Sequence, residues 1–175
     1  MAELRKGEVT MKGNPIDLVG PKLAPGDQAP DFEMVKEDLS TFRLADTAKK
    51  IRLFSVVPSL DTPVCSLQTQ HFAEKLNALG DQVEAYTISL DLPFAMKRFC
   101  GDHKITNLVN LSDAHDHSFG KQYGVLIQGL PIPLLARAIF VVDPAGIIRH
   151  TEIVPEIAQE PDYESTFSAI RSLVS

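Results

Sequence analysis

Apolar residues recur along this chain in two rhythms, one suited to strands and the other to helices. Near the start, Val9 and Met11 alternate with polar neighbours, and Ile16 and Leu18 resume the alternation. Lys12-Gly13-Asn14-Pro15 between them has turn chemistry, so residues 1–20 are predicted to form a β-hairpin. A Pro- and Gly-rich connection over 20–30 leads to short strand candidates at 32–35 and 41–44. The run Ile51-Arg52-Leu53-Phe54-Ser55-Val56-Val57 is β-branched and aromatic, as a strand covered on both faces requires. The period then changes. Cys65, Phe72, Leu76 and Leu79 fall at helical spacing, with Thr62 suited to the N-cap, Pro63 to N1 and Gly80 to C′. A strand at 83–90 follows, then a short helix opened by Asp91-Leu92-Pro93 that reaches Cys100 and breaks at Gly101. Residues 107–111 read as a strand and 118–123 as a short helix closed by Gly124. Segments 135–142 and 147–154 flank Asp143-Pro144-Ala145-Gly146 and are predicted to pair as a hairpin. In the last helix, from Asp162, Tyr163, Phe167, Ile170 and Leu173 share one face.

Strands alternating with helices, then a hairpin and a final helix, imply an α/β fold with a central mixed sheet flanked by helices. The order matches a thioredoxin-like fold with an N-terminal β-hairpin extension. No repeat or long linker divides the chain, and 175 residues fit a single domain over 1–175. In such sheets ligands collect beyond the carboxyl ends of the parallel strands, where residues 58–65 fall.

Composition narrows the function. Hydrophobic residues at 44% and charged residues at 23% suit a globular fold that builds a core without disulfides, which frees the two cysteines for chemistry. A net charge of −6 argues against nucleic acid and anionic membranes as main partners. No apolar run is long enough for a transmembrane helix, and the polar start lacks the pattern of a secretory signal, so a cytoplasmic location is expected. In that compartment a cysteine pair reads as catalytic, redox-sensing or metal-binding before structural.

If Thr62 caps its helix, Cys65 is the third helical residue. Unpaired N–H groups and the positive end of the dipole in that turn favour a negatively charged, nucleophilic sulfur. Position alone is equally compatible with a cysteine packed in the core. Arg137 interrupts the apolar stretch from Leu134 to Val142, and a guanidinium buried there must be paired. A solvent-facing place on an edge strand is the other reading.

The segment Pro58-Ser59-Leu60-Asp61-Thr62-Pro63-Val64-Cys65 resembles the peroxidatic motif of the peroxiredoxins: Pro, three residues, Thr or Ser, two residues, Cys. The string from Pro58 to Gln68, the N-terminal hairpin, Cys100 in the next helix and Ala136-Arg137-Ala138-Ile139-Phe140-Val141 are similar to the bacterial thiol peroxidase subfamily. That resemblance implies an antioxidant peroxidase acting on hydrogen peroxide and organic hydroperoxides. Cys65 would be the peroxidatic residue, attacking the peroxide and becoming a sulfenic acid. Thr62 would hydrogen-bond the thiolate and the peroxide, Pro58 would shield the sulfur, and Arg137 would pair with both. Cys100, thirty-five positions on, would be the resolving cysteine of the same subunit; taken alone, it reads as core. Thioredoxin or a similar dithiol protein would reopen the disulfide, and a homodimer is implied. No metal, flavin or haem is needed, because the sulfur supplies the redox chemistry.

The geometry of such a pair implies motion. Eight steps from Leu92 along a helix that runs away from the active edge carry Cys100 roughly 12 Å along. A disulfide needs Cα atoms within about 7 Å, so both cysteine-bearing turns are expected to unwind.

Other groups fit less well. His103, His115 and His117 lack a Cys-x-x-Cys partner pair and lie partly in a polar loop, which argues against a metal site. His71 lies about 240° around the helix from Cys65 and points away from it. The apolar loop at 125–133 is expected to expose a surface for a long-chain hydroperoxide or a second subunit. Two rivals remain: a thiol–disulfide oxidoreductase, which would place Cys-x-x-Cys where Cys65 is followed by Ser66-Leu67-Gln68, and a redox-sensitive binding protein that does not turn over.

Overall fold

The β-branched run at 51–56 becomes the middle of the molecule. In the computed structural model, which describes residues 3–47 and 49–174, it forms a strand whose six residues are all buried. The elements in order are β1 (Leu4–Met11), β2 (Asn14–Val19), β3 (Glu33–Val35), β4 (Thr41–Arg43), β5 (Ile51–Val56), α1 (Pro63–Leu76), β6 (Val83–Ser89), α2 (Pro93–His103), β7 (Leu108–Ser112), α3 (Ser118–Gln122), β8 (Leu126–Gln128), β9 (Ala138–Val142), β10 (Ile148–Ile153) and α4 (Tyr163–Leu173). A seven-stranded sheet runs β10-β9-β5-β6-β7-β3-β4, with β5, β6 and β7 parallel and the outer pairings antiparallel. This is the mixed α/β sheet expected. Helices α1 and α2 are the crossovers between the parallel strands, so both cysteines lie on connections between them.

Period-two alternation divides the core. On β5 and β9, Phe54, Val56, Ala138, Phe140 and Val142 pack with the N-terminal hairpin and with Phe119 and Tyr123 of α3 and its end. Ile51, Leu53, Ile139 and Val141 turn to the other face, under Phe72 and Leu76 of α1 and Phe167 and Ile170 of α4. On β7 the same alternation sends Leu111 to the first cluster and leaves Asn110 on the opposite side, beneath α2.

The hairpin forms, with Lys12 and Gly13 alone as the turn, both at positive φ (51° and 80°), as a two-residue hairpin turn demands. Asn14 and Pro15 belong to β2 instead; Met1 and Ala2 lie outside the described residues. Three further boundaries differ from expectation. Helix α1 stops at Leu76, and Gly80 (φ 71°) lies in a later turn. Helix α2 passes through Gly101 and ends at Lys104, which adopts φ 55° and donates its N–H back to Cys100 and Gly101. A single interior glycine costs a helix only about 1 kcal/mol, and α2 packs on β7 along its buried side. The apolar loop at 125–133 is partly a strand: β8 pairs with β2 and buries Val125 and Ile127, leaving Ile132 as its strongly exposed large side chain. Its backbone groups find a ladder there, which a reading by hydropathy alone does not detect. Among the described residues no helix is long and apolar enough to cross a membrane.

Candidate active site

Cys65 is the third residue of α1, counted from Pro63, and its side chain is completely buried. The strand-to-helix connection puts it there. Pro58, buried, follows the end of β5, and Thr62 in an extended conformation (φ −102°, ψ 148°) turns the chain into the helix. The connection is held from the side by Asp91, just after β6. Its carboxylate accepts from Ser59 Oγ and from the Leu60 N–H, both at 2.8 Å, and from Ser89 Oγ at 2.7 Å. Its carbonyl accepts from Ser112 Oγ of β7 at 2.6 Å. One residue thus ties the approach to Cys65 to the start of α2.

Arg137 comes to the sulfur from the opposite side. It precedes β9 by one residue, on the face that α1 and α4 cover, and is 2% exposed. Nη2 donates to Cys65 Sγ at 3.3 Å, Nη1 to Gln68 Oε1 at 3.0 Å and Nε to the Ile157 carbonyl at 2.9 Å. These acceptors leave the guanidinium charge unbalanced, and among the described residues no carboxylate forms an ion pair with it. Tyr163, which feels the same charge, is held neutral because burial and the nearby Glu160 push its pKa up. Cys65 is the group in contact with Arg137 that can carry the balancing negative charge.

Gln68 is the residue that sequence reasoning missed. It is fully buried, and its Nε2 donates to Ser55 Oγ at 2.8 Å while Oε1 receives Arg137. Three positions after Cys65 on a helix, it shares the buried face with Thr69 and Phe72. A polar side chain at that spacing was the available signal. Thr62 stands at the N-cap but is exposed, and its hydroxyl donates to the Ser59 carbonyl at 2.9 Å rather than to the helix or the sulfur. An open cavity of ≈ 280 Å³ beside it is lined by Leu60, Thr62, Pro63, Ser66, Arg98 and Phe99.

Cys100 is on the buried side of α2, and Cys65 and Cys100 are not joined in a disulfide. They belong to one small apolar cluster with Val57, Leu60, Met96 and Phe99, apart from the two large ones. Burial pushes the Cys100 pKa up, a donor from Asn110 opposes this, and the Glu37 carboxylate adds to it. Of the histidines weighed earlier, His103 stacks on Phe99 and bonds its carbonyl through Nδ1 at 2.9 Å, and His71 packs on Tyr163. Among the described residues no group of three or more His, Cys, Asp or Glu side chains could hold a metal ion.

Residues 24–167 match the family model described as Redoxin. Over 164 residues the chain is 48% identical to a protein named Thiol peroxidase from Listeria monocytogenes serotype 4b (strain F2365), covering 94% of this chain and 98% of that one. It is 46% identical over 167 residues to Thiol peroxidase from Bacillus subtilis (strain 168), covering 95% and 98%. The crystal structure of a peroxiredoxin-like protein from Aquifex aeolicus superposes with a TM-score of 0.88 at 38% identity, covering 97% of this chain and 99% of that chain.

Proposed function

Because the chain belongs to the redoxin family, with thiol peroxidases as its relatives, we propose that it is a thiol-dependent peroxidase reducing hydrogen peroxide and organic hydroperoxides at Cys65. The observation that carries the assignment to Cys65 is the unbalanced, buried guanidinium of Arg137, 3.3 Å from its sulfur. The Cys65 thiolate attacks the terminal peroxide oxygen, the O–O bond breaks, and the departing alkoxide or hydroxide takes a proton to leave as alcohol or water. Cys65 is then a sulfenic acid. Arg137 stabilises charge first on sulfur and then on the departing oxygen, with Gln68 holding the guanidinium plane. Pro58 keeps water from the sulfur. Thr62 supplies a second donor to the peroxide once its hydroxyl leaves Ser59; such bonds often form only with substrate in place.

Cys100 then attacks the Cys65 sulfur, closing a disulfide within the subunit and releasing water. A thioredoxin-type dithiol reopens it, which suits a cytoplasmic antioxidant enzyme. Both cysteine-bearing turns unwind for this step. A homodimer is part of the same proposal, supported by the resemblance and by exposed Leu67, Leu92, Phe94 and Ile132.

Stopped-flow reaction with several hydroperoxides, coupled to reduction by thioredoxin, tests the assignment. Fast consumption of one equivalent of peroxide and repeated turnover with thioredoxin are expected; a slow reaction without turnover would identify a redox-sensitive binding protein. Hydrogen exchange over 62–69 and 92–103 is expected to speed up in the disulfide form, and equal protection in both forms would rule out the unwinding.

A further inference from the structure

The resolving position has a polar setting of its own. Asn110 lies in the middle of β7, on the face covered by α2, and is 4% exposed. Its Nδ2 donates to Cys100 Sγ at 3.1 Å and to Glu37 Oε1 at 2.7 Å. Both hydrogens of one amide are used on a sulfur and a carboxylate, while Oδ1 is buried without a hydrogen-bond partner. An amide takes the orientation its neighbours impose. Turned over, Oδ1 would face the Glu37 carboxylate, acceptor against acceptor. Glu37, half-buried just after β3, therefore forces the nitrogen end toward itself and toward the sulfur. The orphaned oxygen shows that this orientation is held against a cost.

We propose that Asn110, oriented by Glu37, is a positioning residue for Cys100 in the disulfide-forming step. The inference rests on the peroxidase reading above. In that step the Cys100 S–H loses its proton and its sulfur attacks the Cys65 sulfur. The S–O bond of the sulfenic acid breaks and the oxygen leaves as water. Cys100 is oxidised and the Cys65 sulfur reduced. An N–H aimed at Cys100 favours its anion and holds the sulfur against β7 until α2 loosens. The Glu37 charge works against the anion. Together with burial, it pushes the Cys100 pKa up.

The other charged or titratable groups nearby are few. Cys65, with Arg137 beyond it, shares the apolar cluster. Lys36, half-buried, and Asp38, exposed, flank Glu37 and line a cavity with it and Asn110. Lys97, Arg98, Asp102 and His103 of α2 and Lys104 at its end are exposed, and β7 carries no charged residue.

The test is a thiolate titration by ultraviolet absorbance in Cys65→Ser protein, with the double Cys65→Ser, Cys100→Ser protein as blank. Asn110→Ala is expected to move the Cys100 midpoint up, and Glu37→Gln to move it down, each by about half a pH unit or more. Gln at 37 keeps an acceptor for the Asn110 amide, so a packing role would leave its midpoint where it was. With Cys65 present, Asn110→Ala should slow disulfide formation relative to sulfenic acid formation by about threefold or more at neutral pH. Glu37 is partly exposed, so its variant decides the matter even if Asn110→Ala does not fold. Unchanged midpoints overturn the proposal. Sulfenic acid that never forms at Cys65 in the wild type would instead overturn the peroxidase reading, which the titration does not depend on.

Discussion

The two cysteines share one small apolar cluster, yet opposite charges stand beside them. Cys65 receives a hydrogen bond from a buried guanidinium, whereas Cys100 receives one from an amide whose second hydrogen is spent on a carboxylate. Burial pushes the Cys100 pKa up, since it penalises the charged form. What separates them is the donor each sulfur receives: a cation for Cys65, and for Cys100 an amide shared with a carboxylate. On the proposed reading, the nucleophile that reacts first has a cation beside it, and the one that follows has an amide tied to an anion.

The contrast can be broken from either side. Cys65→Ser removes the attacking atom and should abolish peroxide reduction, with a folded protein by circular dichroism; turnover above a few per cent of wild type would move the chemistry elsewhere. Cys100→Ser should leave the first attack intact and lose thioredoxin-dependent turnover, with sulfenic acid accumulating at Cys65. A dimedone-type reagent measures that species, and normal turnover with thioredoxin would remove Cys100 from the reaction. Arg137→Met tests the cation itself. Losing a preorganised donor of this kind costs on the order of a hundredfold in rate, read as the second-order constant for peroxide. Arg137→Lys should also suffer, because the planar fork that reaches Cys65, Gln68 and Ile157 is lost even though the charge remains. A near-normal constant in Arg137→Met would reduce the residue to a structural role.

The smallest effect sharpens the contrast through stability. The folded-state pKa of Cys100 is raised, by burial first and by Glu37 after it. An acid with a raised pKa binds its proton more tightly when folded, so its contribution is present below the unfolded thiol value of about 8.5 and is lost as pH rises above it. Denaturation midpoints should therefore fall less steeply above about pH 8.5 in Cys100→Ser than in wild type. Parallel curves would mean that the environment of Cys100 does not resist its ionisation.

Much of this was legible in the order of residues. The covered strand β5, the start of α1 at Pro63 and the late hairpin follow from apolar periods, proline geometry and turn chemistry, all local signals; the Thr62 hydroxyl, suited to cap α1, bonds the Ser59 carbonyl instead. The position of Arg137 was legible too, because a charge inside an apolar run demands a partner. Strand β8 was not, since its pairing with β2 joins segments a hundred residues apart and its own sequence looks like a greasy loop. Gln68 and Asn110 left only a faint trace, one polar residue each on a covered face. Their partners, Arg137 and Glu37, come from distant parts of the chain, which no local period encodes.

Asp91 has one more consequence. The connection that delivers Cys65 and the segment that starts the helix of Cys100 hang on the same side chain. Opening the Ser59–Leu60 connection removes two donors and leaves the Asp91 carboxylate held by Ser89 Oγ. Loosening on one side therefore lowers the cost of loosening on the other, which couples the two segments. In the proposed disulfide step, this shared fastening favours one joint release over two successive ones.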